Sequence, residues 1–160
     1  MTLPLPPSAQ RVQDELSRLG VAAVVRQLDR PTRSAAEAAA AVGCEVGQIA
    51  KSLVFRGRVG RRPILVITSG ANRVSEAALA QRVGEPIERA DADFVREATG
   101  FAIGGVPPLG HSYRLATYFD EDLLPFPTIW AAAGTPHTVF EIDPAELLRL
   151  CEGTAVSVKD

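Results

Sequence analysis

The chain has 160 residues, with 17 Lys and Arg against 19 Asp and Glu and a formal net charge of -2 at pH 7. That balance excludes a protein held to nucleic acid by bulk positive charge, and it provides no global field towards an acidic membrane. With 46% hydrophobic and 22% charged residues, the composition is that of a globular chain, of a length suited to one domain.

Ser8 to Leu19 reads as an opening helix, with Val12, Leu16 and Leu19 at helical spacing and Gly20 placed to end it. Ala22 to Leu28 reads as a short strand. Ser34 with Glu37 forms a capping box for a helix over Ala35 to Ala41, stopped by Gly43. Cys44 to Gln48 adds a helical turn before a β-rich segment, Ile49 to Phe55. Arg56 to Arg62 is expected to be a hairpin connection to a second β-branched run, Ile64 to Thr68. A helix over Ser75 to Val83, a short strand over Pro86 to Arg89 and a helix from Asp91 to Ala98 follow. Phe101 to Gly110, FAIGGVPPLG, is too punctuated by glycine and proline for a helix or a long strand. Strands are expected over Tyr113 to Phe119, Thr128 to Ala133 and His137 to Ile142, then a helix capped by Asp143 and a final strand over Thr154 to Val158.

Strands in adjacent groups, with interspersed helices and no regular βαβ alternation, predict a single α+β domain over residues 1–160, core about 8–158, with a mixed, curled sheet. No apolar run reaches the roughly 20 residues that span a bilayer, so no membrane association is expected. Met1 to Gln10 lacks a signal-peptide pattern, and the expected location is cytoplasmic. Cys44 and Cys151 fit neither a CxxC pair nor a zinc pattern and are expected to be free thiols.

The net charge conceals a distribution. Residues 1–80 carry 11 cations against 6 acids, and residues 81–160 carry 6 against 13. The window from Lys51 to Arg62 holds five cations (Lys51, Arg56, Arg58, Arg61 and Arg62) and no acid.

Phosphate-loop, dinucleotide, zinc-protease and serine-hydrolase motifs are absent. Three features remain. Lys51 interrupts an apolar strand in a chain that uses arginine at nearly every other cationic position, so it either snorkels to water or meets an anion in a pocket. Gly104-Gly105, flanked by Pro107-Pro108, either presents main-chain amides to an oxyanion or phosphate or makes a sharp corner. His137, after Gly134-Thr135-Pro136, is either a substrate contact or a surface residue.

In this order, Ile49-Ala50-Lys51-Ser52-Leu53-Val54-Phe55, the loop Gly100 to Gly110, and Gly134-Thr135-Pro136-His137 resemble the YbaK/prolyl-tRNA synthetase-associated editing domain family of aminoacyl-tRNA deacylases. The resemblance spans roughly Ser8 to Val158. It implies a partly closed, barrel-like sheet ringed by helices, and hydrolysis in trans of the ester joining a wrong amino acid to tRNA, without a metal or organic cofactor. It also implies roles: Lys51, Gly104 and Gly105 in catalysis; Ser52, Pro107, Gly134 and His137 in substrate binding. Arg56, Arg58, Arg61 and Arg62 are then expected to hold the acceptor end of a mischarged tRNA. Pro107 stands where many relatives have serine, and the Gly134 to His137 turn resembles the proline-synthetase-associated branch. A non-catalytic module binding a tRNA end or an aminoacyl ligand is the alternative. The edited amino acid, a partner aminoacyl-tRNA synthetase, and the choice between monomer and homodimer stay open.

Overall fold

The computed structural model describes residues 4–159. The first helix, α1 (Pro7–Arg18), starts on a proline suited to its first turn and buries Ala9, Val12 and Leu16 on one face. After it, the expected strand over 22–28 shrinks to β1 (Arg26–Gln27), because only these two residues find a partner strand.

Helix α2 (Ala35–Val42) is capped by Ser34 Oγ, which accepts from Glu37 N–H, and ends on Gly43 at φ +77°. The Glu37 carboxylate accepts from Arg33 N–H at 2.9 Å, so the reciprocal half of the capping box is displaced by one residue. Strands β2 (Ile49–Gly57) and β3 (Pro63–Ser69) then form an antiparallel hairpin. The remaining elements are α3 (Glu76–Val83), β4 (Ile87–Arg89), α4 (Ala92–Thr99), β5 (Ala116–Asp120), β6 (Ile129–Ala132), β7 (Thr138–Ile142), α5 (Pro144–Leu150) and β8 (Thr154–Val156).

One mixed sheet joins the strands in the order β1-β7-β6-β2-β3-β5-β8, with β4 also paired to β2. The pairs β2/β6, β3/β5 and β5/β8 are parallel and the others antiparallel. The α+β domain with a mixed sheet is therefore as expected. The sheet does not close: its ladder begins on β1 and ends on β8, strands of two and three residues that do not pair with each other.

Side-chain alternation distributes β2 and β3 between different cores. Ala50, Val54, Leu65 and Ile67 join Phe101, Phe119 and Phe140 in the largest cluster. Phe55, Ile64 and Val66 face the opposite way, with Leu79 of α3. Ile49 and Trp130 pack beneath Ala38 and Ala39 of α2, whose small side chains allow the helix to lie close to the sheet.

One detail of pairing creates the site. β3 covers one edge of β2 along nearly its whole length, whereas the other edge is shared. There β6 pairs with Ile49 and Ala50, and β4 pairs with Phe55, Arg56 and Gly57. Ala90 N–H reaches Val54 O at 3.3 Å, so the stretch Lys51 to Leu53 lies in an open fork between β6 and β4.

Elsewhere among the described residues the buried side-chain oxygen and nitrogen atoms have partners. Asp120 Oδ2 accepts from Ser69 N–H and Asn72 Nδ2, both at 2.9 Å, which assigns this buried acid to the structure rather than to the chemistry. Both cysteines are free thiols, and burial pushes that of Cys151 up to about 11. No helix among the described residues is long and apolar enough to cross a membrane.

Candidate active site in the fork of the sheet

The fork opens into a cavity of about 470 Å³. Its floor is apolar, formed by Val54, Val95, Val106 and Ala131 at the edge of the main core. Its rim holds Lys51, Arg33 from the segment before α2, and Arg89 from the end of β4. Among the described residues that line it there is no Asp, Glu, His or Cys. A concave, partly apolar site with cations and no acid favours an anionic or oxyanion-forming ligand, because a low-dielectric wall focuses the field of the charges it carries.

Lys51 lines this cavity half-buried, and among the described residues it forms no ion pair. Of the two readings of this lysine, the structure favours the pocket. Ser52 also lines the cavity, and its Oγ, shut off from solvent, has no hydrogen-bond partner among the described residues. An orphaned hydroxyl costs roughly 1–3 kcal/mol. Ser52→Ala is therefore expected to raise the melting temperature by a few degrees, at about 2–4 °C per kcal/mol for a chain of this size, as differential scanning calorimetry would show. A fall of several degrees would mean that the hydroxyl is satisfied in solution.

The two glycines of the loop have different tasks. Gly104 has φ +93°, is exposed at the cavity, and a Cβ there would meet nothing within 4 Å. Its N–H has no partner among the described residues and remains an open donor. Gly105 N–H, by contrast, donates to Ala102 O at 3.1 Å, closing a turn that requires the positive φ of Gly104 at its third position. A Cβ on Gly105 would lie 2.7 Å from Thr135 Cα and 2.9 Å from Gly134 C. Gly105 therefore admits a neighbouring main chain, and the expectation that its amide faces the substrate is corrected.

Three further expectations are corrected. Pro107 is buried behind the loop and does not line the cavity; its carbonyl accepts from His111 Nε2 at 2.7 Å. That bond fixes the His111 tautomer, and burial lowers the imidazole's pKa, so the ring acts as a neutral clamp on the loop, edge-on to Phe101. Gly134, at φ +96°, meets the start of α1: a Cβ there would lie 2.7 Å from Ser8 O. His137 is exposed and outside the cavity, its N–H donating to Thr135 Oγ1 at 3.1 Å and its carbonyl accepting from Leu28 N–H at 2.7 Å. The residues of this turn that do line the cavity are Thr135, Pro136 and Thr138.

Of the lining residues, sequence reasoning found Lys51, Ser52 and Gly104; it missed the apolar floor of Val54, Val95, Val106 and Ala131, and also Arg33, Arg89, Ala90, Thr135 and Pro136. Thr135 and Pro136 lay within the motif that pointed to His137. Arg89 carried no such signal, since its place depends on β4 sharing an edge of β2.

The basic hairpin lies at the far end of β2, seven residues from Lys51 to Arg58, or about 23 Å at roughly 3.3 Å per residue. Folding brings acids to it that the sequence window lacks. Glu85 accepts from Val59 and Gly60 N–H at 2.9 and 3.0 Å, bonds that lower its pKa and fix the carboxylate at the turn. Arg56 pairs with Glu88 at 3.2 Å and lies 5.3 Å over the Phe94 ring, so its head is already engaged. Arg58, Arg61 and Arg62 remain exposed.

Among the described residues no group of three or more His, Cys, Asp or Glu is placed to hold a metal ion. The fold is a single α+β domain whose mixed sheet forks around Lys51. Residues 29–150 match the model of the aminoacyl-tRNA editing domain, and the chain belongs to that family. The "Uncharacterized protein YwhH" of Bacillus subtilis is 32% identical over 123 residues, covering 77% of this chain and 78% of that protein. The "Putative Cys-tRNA(Pro)/Cys-tRNA(Cys) deacylase EbsC" of Enterococcus faecalis is 29% identical over 122 residues, 75% of this chain and 73% of its own. A crystal structure described as "a putative trans-editing enzyme for prolyl tRNA synthetase" superposes with a TM-score of 0.92 at 48% identity, covering 98% of this chain and 99% of that one.

Proposed function

We propose that this protein is a trans-acting aminoacyl-tRNA deacylase, hydrolysing the ester of mischarged tRNA in the service of translation quality control in the cytoplasm. The observation that carries the reading is the cavity itself: an apolar floor, a cationic rim that includes Lys51, and no acid among the described lining residues. The family match and the printed names of the relatives support it.

In the reaction, water adds to the ester carbonyl, the bond from the acyl carbon to the ribose oxygen breaks, that oxygen takes one of the water's protons, and the other is released to solvent. The amino acid leaves as its carboxylate. An aminoacyl ester is already activated, so placing the water and stabilising the developing oxyanion suffice. Lys51 provides the charge for the oxyanion or for the last phosphate, and the open Gly104 N–H is a main-chain donor beside it. No protein carboxylate or imidazole lines the cavity among the described residues, so the free hydroxyl of the terminal ribose is assigned the orientation of the water. Val54, Val95 and Val106 bound the space available to the amino-acid side chain.

The test is a panel of tRNAs charged with Ala, Ser, Cys, Thr and Pro. Release of free amino acid by catalytic amounts of protein supports the enzyme. Saturable binding without release supports the alternative module, and hydrolysis of small esters equally well without tRNA points to a general esterase.

Exposed Arg58, Arg61 and Arg62 are assigned to the acceptor stem rather than to its last nucleotide, given their distance from Lys51. Replacing all three with Ala is expected to weaken tRNA binding and to flatten its dependence on salt, by up to about 0.9 in the log-log slope for each lost phosphate contact. The relative rates across amino acids should stay the same. An unchanged salt slope in filter-binding titrations would remove the hairpin from the interface.

A further inference from the structure

The main-chain direction of β2 assigns the fork a more specific task than holding charge. Ile49 O accepts from Gly70 N–H at 2.7 Å and Gly57 N–H donates to Arg62 O at 3.1 Å, so odd-numbered residues of β2 direct their main chain towards the β3 side of the hairpin. Even-numbered residues direct theirs to the opposite edge, as Ala90 N–H to Val54 O and Arg58 N–H to Pro86 O confirm. Pairing with β6 stops at Ala50, opposite Ala131, and β4 takes over at Phe55. Ser52 lies midway. Its N–H and C=O both face the fork, and no strand among the described residues claims them.

We infer that the Ser52 main chain binds the aminoacyl group as a one-residue antiparallel bridge: Ser52 N–H donates to the ester carbonyl oxygen, and Ser52 C=O accepts from the α-amino group. In a hydrogen-bonded antiparallel pair two residues exchange both bonds through their own N–H and C=O, and an aminoacyl ester carries that same donor and acceptor pair on a single residue. The span from Ala50 to Val54 is about 13 Å at roughly 3.3 Å per residue, which leaves room for one residue between the flanking strands. The cavity offers the α-amino group no carboxylate among its described lining residues, and Lys51, Arg33 and Arg89 would repel it, so a main-chain carbonyl is the acceptor that remains. The same bridge places the ester oxygen on an N–H as negative charge develops there, with Lys51 on the adjacent residue. Ser52 thereby contributes through its backbone whichever amino acid is carried.

This inference rests on the deacylase reading, and its test separates the two. The amino acid released fastest is compared with its desamino counterpart, the same acyl chain without the α-amino group, charged on the same tRNA, each rate normalised to the spontaneous hydrolysis of its own ester. The bridge predicts a loss of about 10- to 100-fold in normalised kcat/KM for the desamino ester, the worth of one charge-assisted bond in a desolvated site. In parallel, calorimetry compares a non-hydrolysable 3′-aminoacylamido-adenosine with its desamino analogue, and the bridge predicts at least about tenfold weaker binding of the latter. Replacing Ser52 by its α-hydroxy acid, which turns the N–H into an ester oxygen and keeps the side chain, is expected to lower kcat with little change in KM. Equal normalised rates and equal binding overturn the bridge while leaving the deacylase intact. Differential binding without any hydrolysis leaves the bridge and overturns the deacylase.

Discussion

Lys51→Ala is expected to reduce deacylation on the order of 100- to 1000-fold, the effect of deleting one preorganised stabiliser of a developing oxyanion. The melting temperature should change little. Lys51 makes no ion pair among the described residues, so its removal breaks no salt bridge there, and it relieves repulsion with Arg33 and Arg89 at the same rim. Lys51→Arg keeps the charge but replaces a compact ammonium by a planar, wider head, and it should restore only part of the rate. Single-turnover deacylation of the three proteins, with circular dichroism as the control of folding, measures this. Full activity of Lys51→Ala would remove the residue from the chemistry and return it to a snorkelling role.

The second large effect is expected at Gly105. Its Cβ would collide with the main chain of the Gly134-Thr135 turn at 2.7–2.9 Å, and main chain cannot rotate away as a side chain does. Gly105→Ala should therefore force the two segments apart, costing about 1–3 kcal/mol by overpacking and moving Thr135 and Pro136 out of the cavity wall. Activity and thermal stability are expected to fall together, with a melting temperature lower by roughly 5 °C. Gly104→Ala provides the contrast: there is space for the methyl group, but φ +93° strains any side chain by about 1–3 kcal/mol. If Gly105→Ala loses activity at an unchanged melting temperature, its role is to leave room for substrate instead. Comparison of thermal melts with single-turnover rates separates the two.

These residues also show what the sequence made legible. Lys51 could be found because an ammonium in an apolar strand, within a chain that otherwise uses arginine, is a local anomaly. The loop glycines could be found because glycine density is local too, but which of them faces a ligand depends on what lies opposite. Gly105 and Gly134 are needed for close approaches to segments distant in sequence, the Gly134-Thr135 turn and the start of α1. His137 drew attention by chemistry, yet its turn presents Thr135 and Pro136 to the cavity and leaves the imidazole outside. Strand positions were legible from β-branched runs, whereas the fork that makes the site is a property of three strands sharing one neighbour. The hairpin's charge was legible only as a sum: Glu85 and Glu88 come to it through folding, and they leave three exposed arginines where the sequence window held four.

Turnover at the fork separates a deacylase from a binding module. Its most direct test is to mix catalytic amounts of the isolated chain, without any synthetase, with an excess of each mischarged tRNA and to follow free amino acid over time. Turnover at the fork predicts release of at least one amino acid well beyond one equivalent of protein, at a rate far above spontaneous hydrolysis and lost in Lys51→Ala. Release at the spontaneous rate from every tRNA in the panel would contradict it.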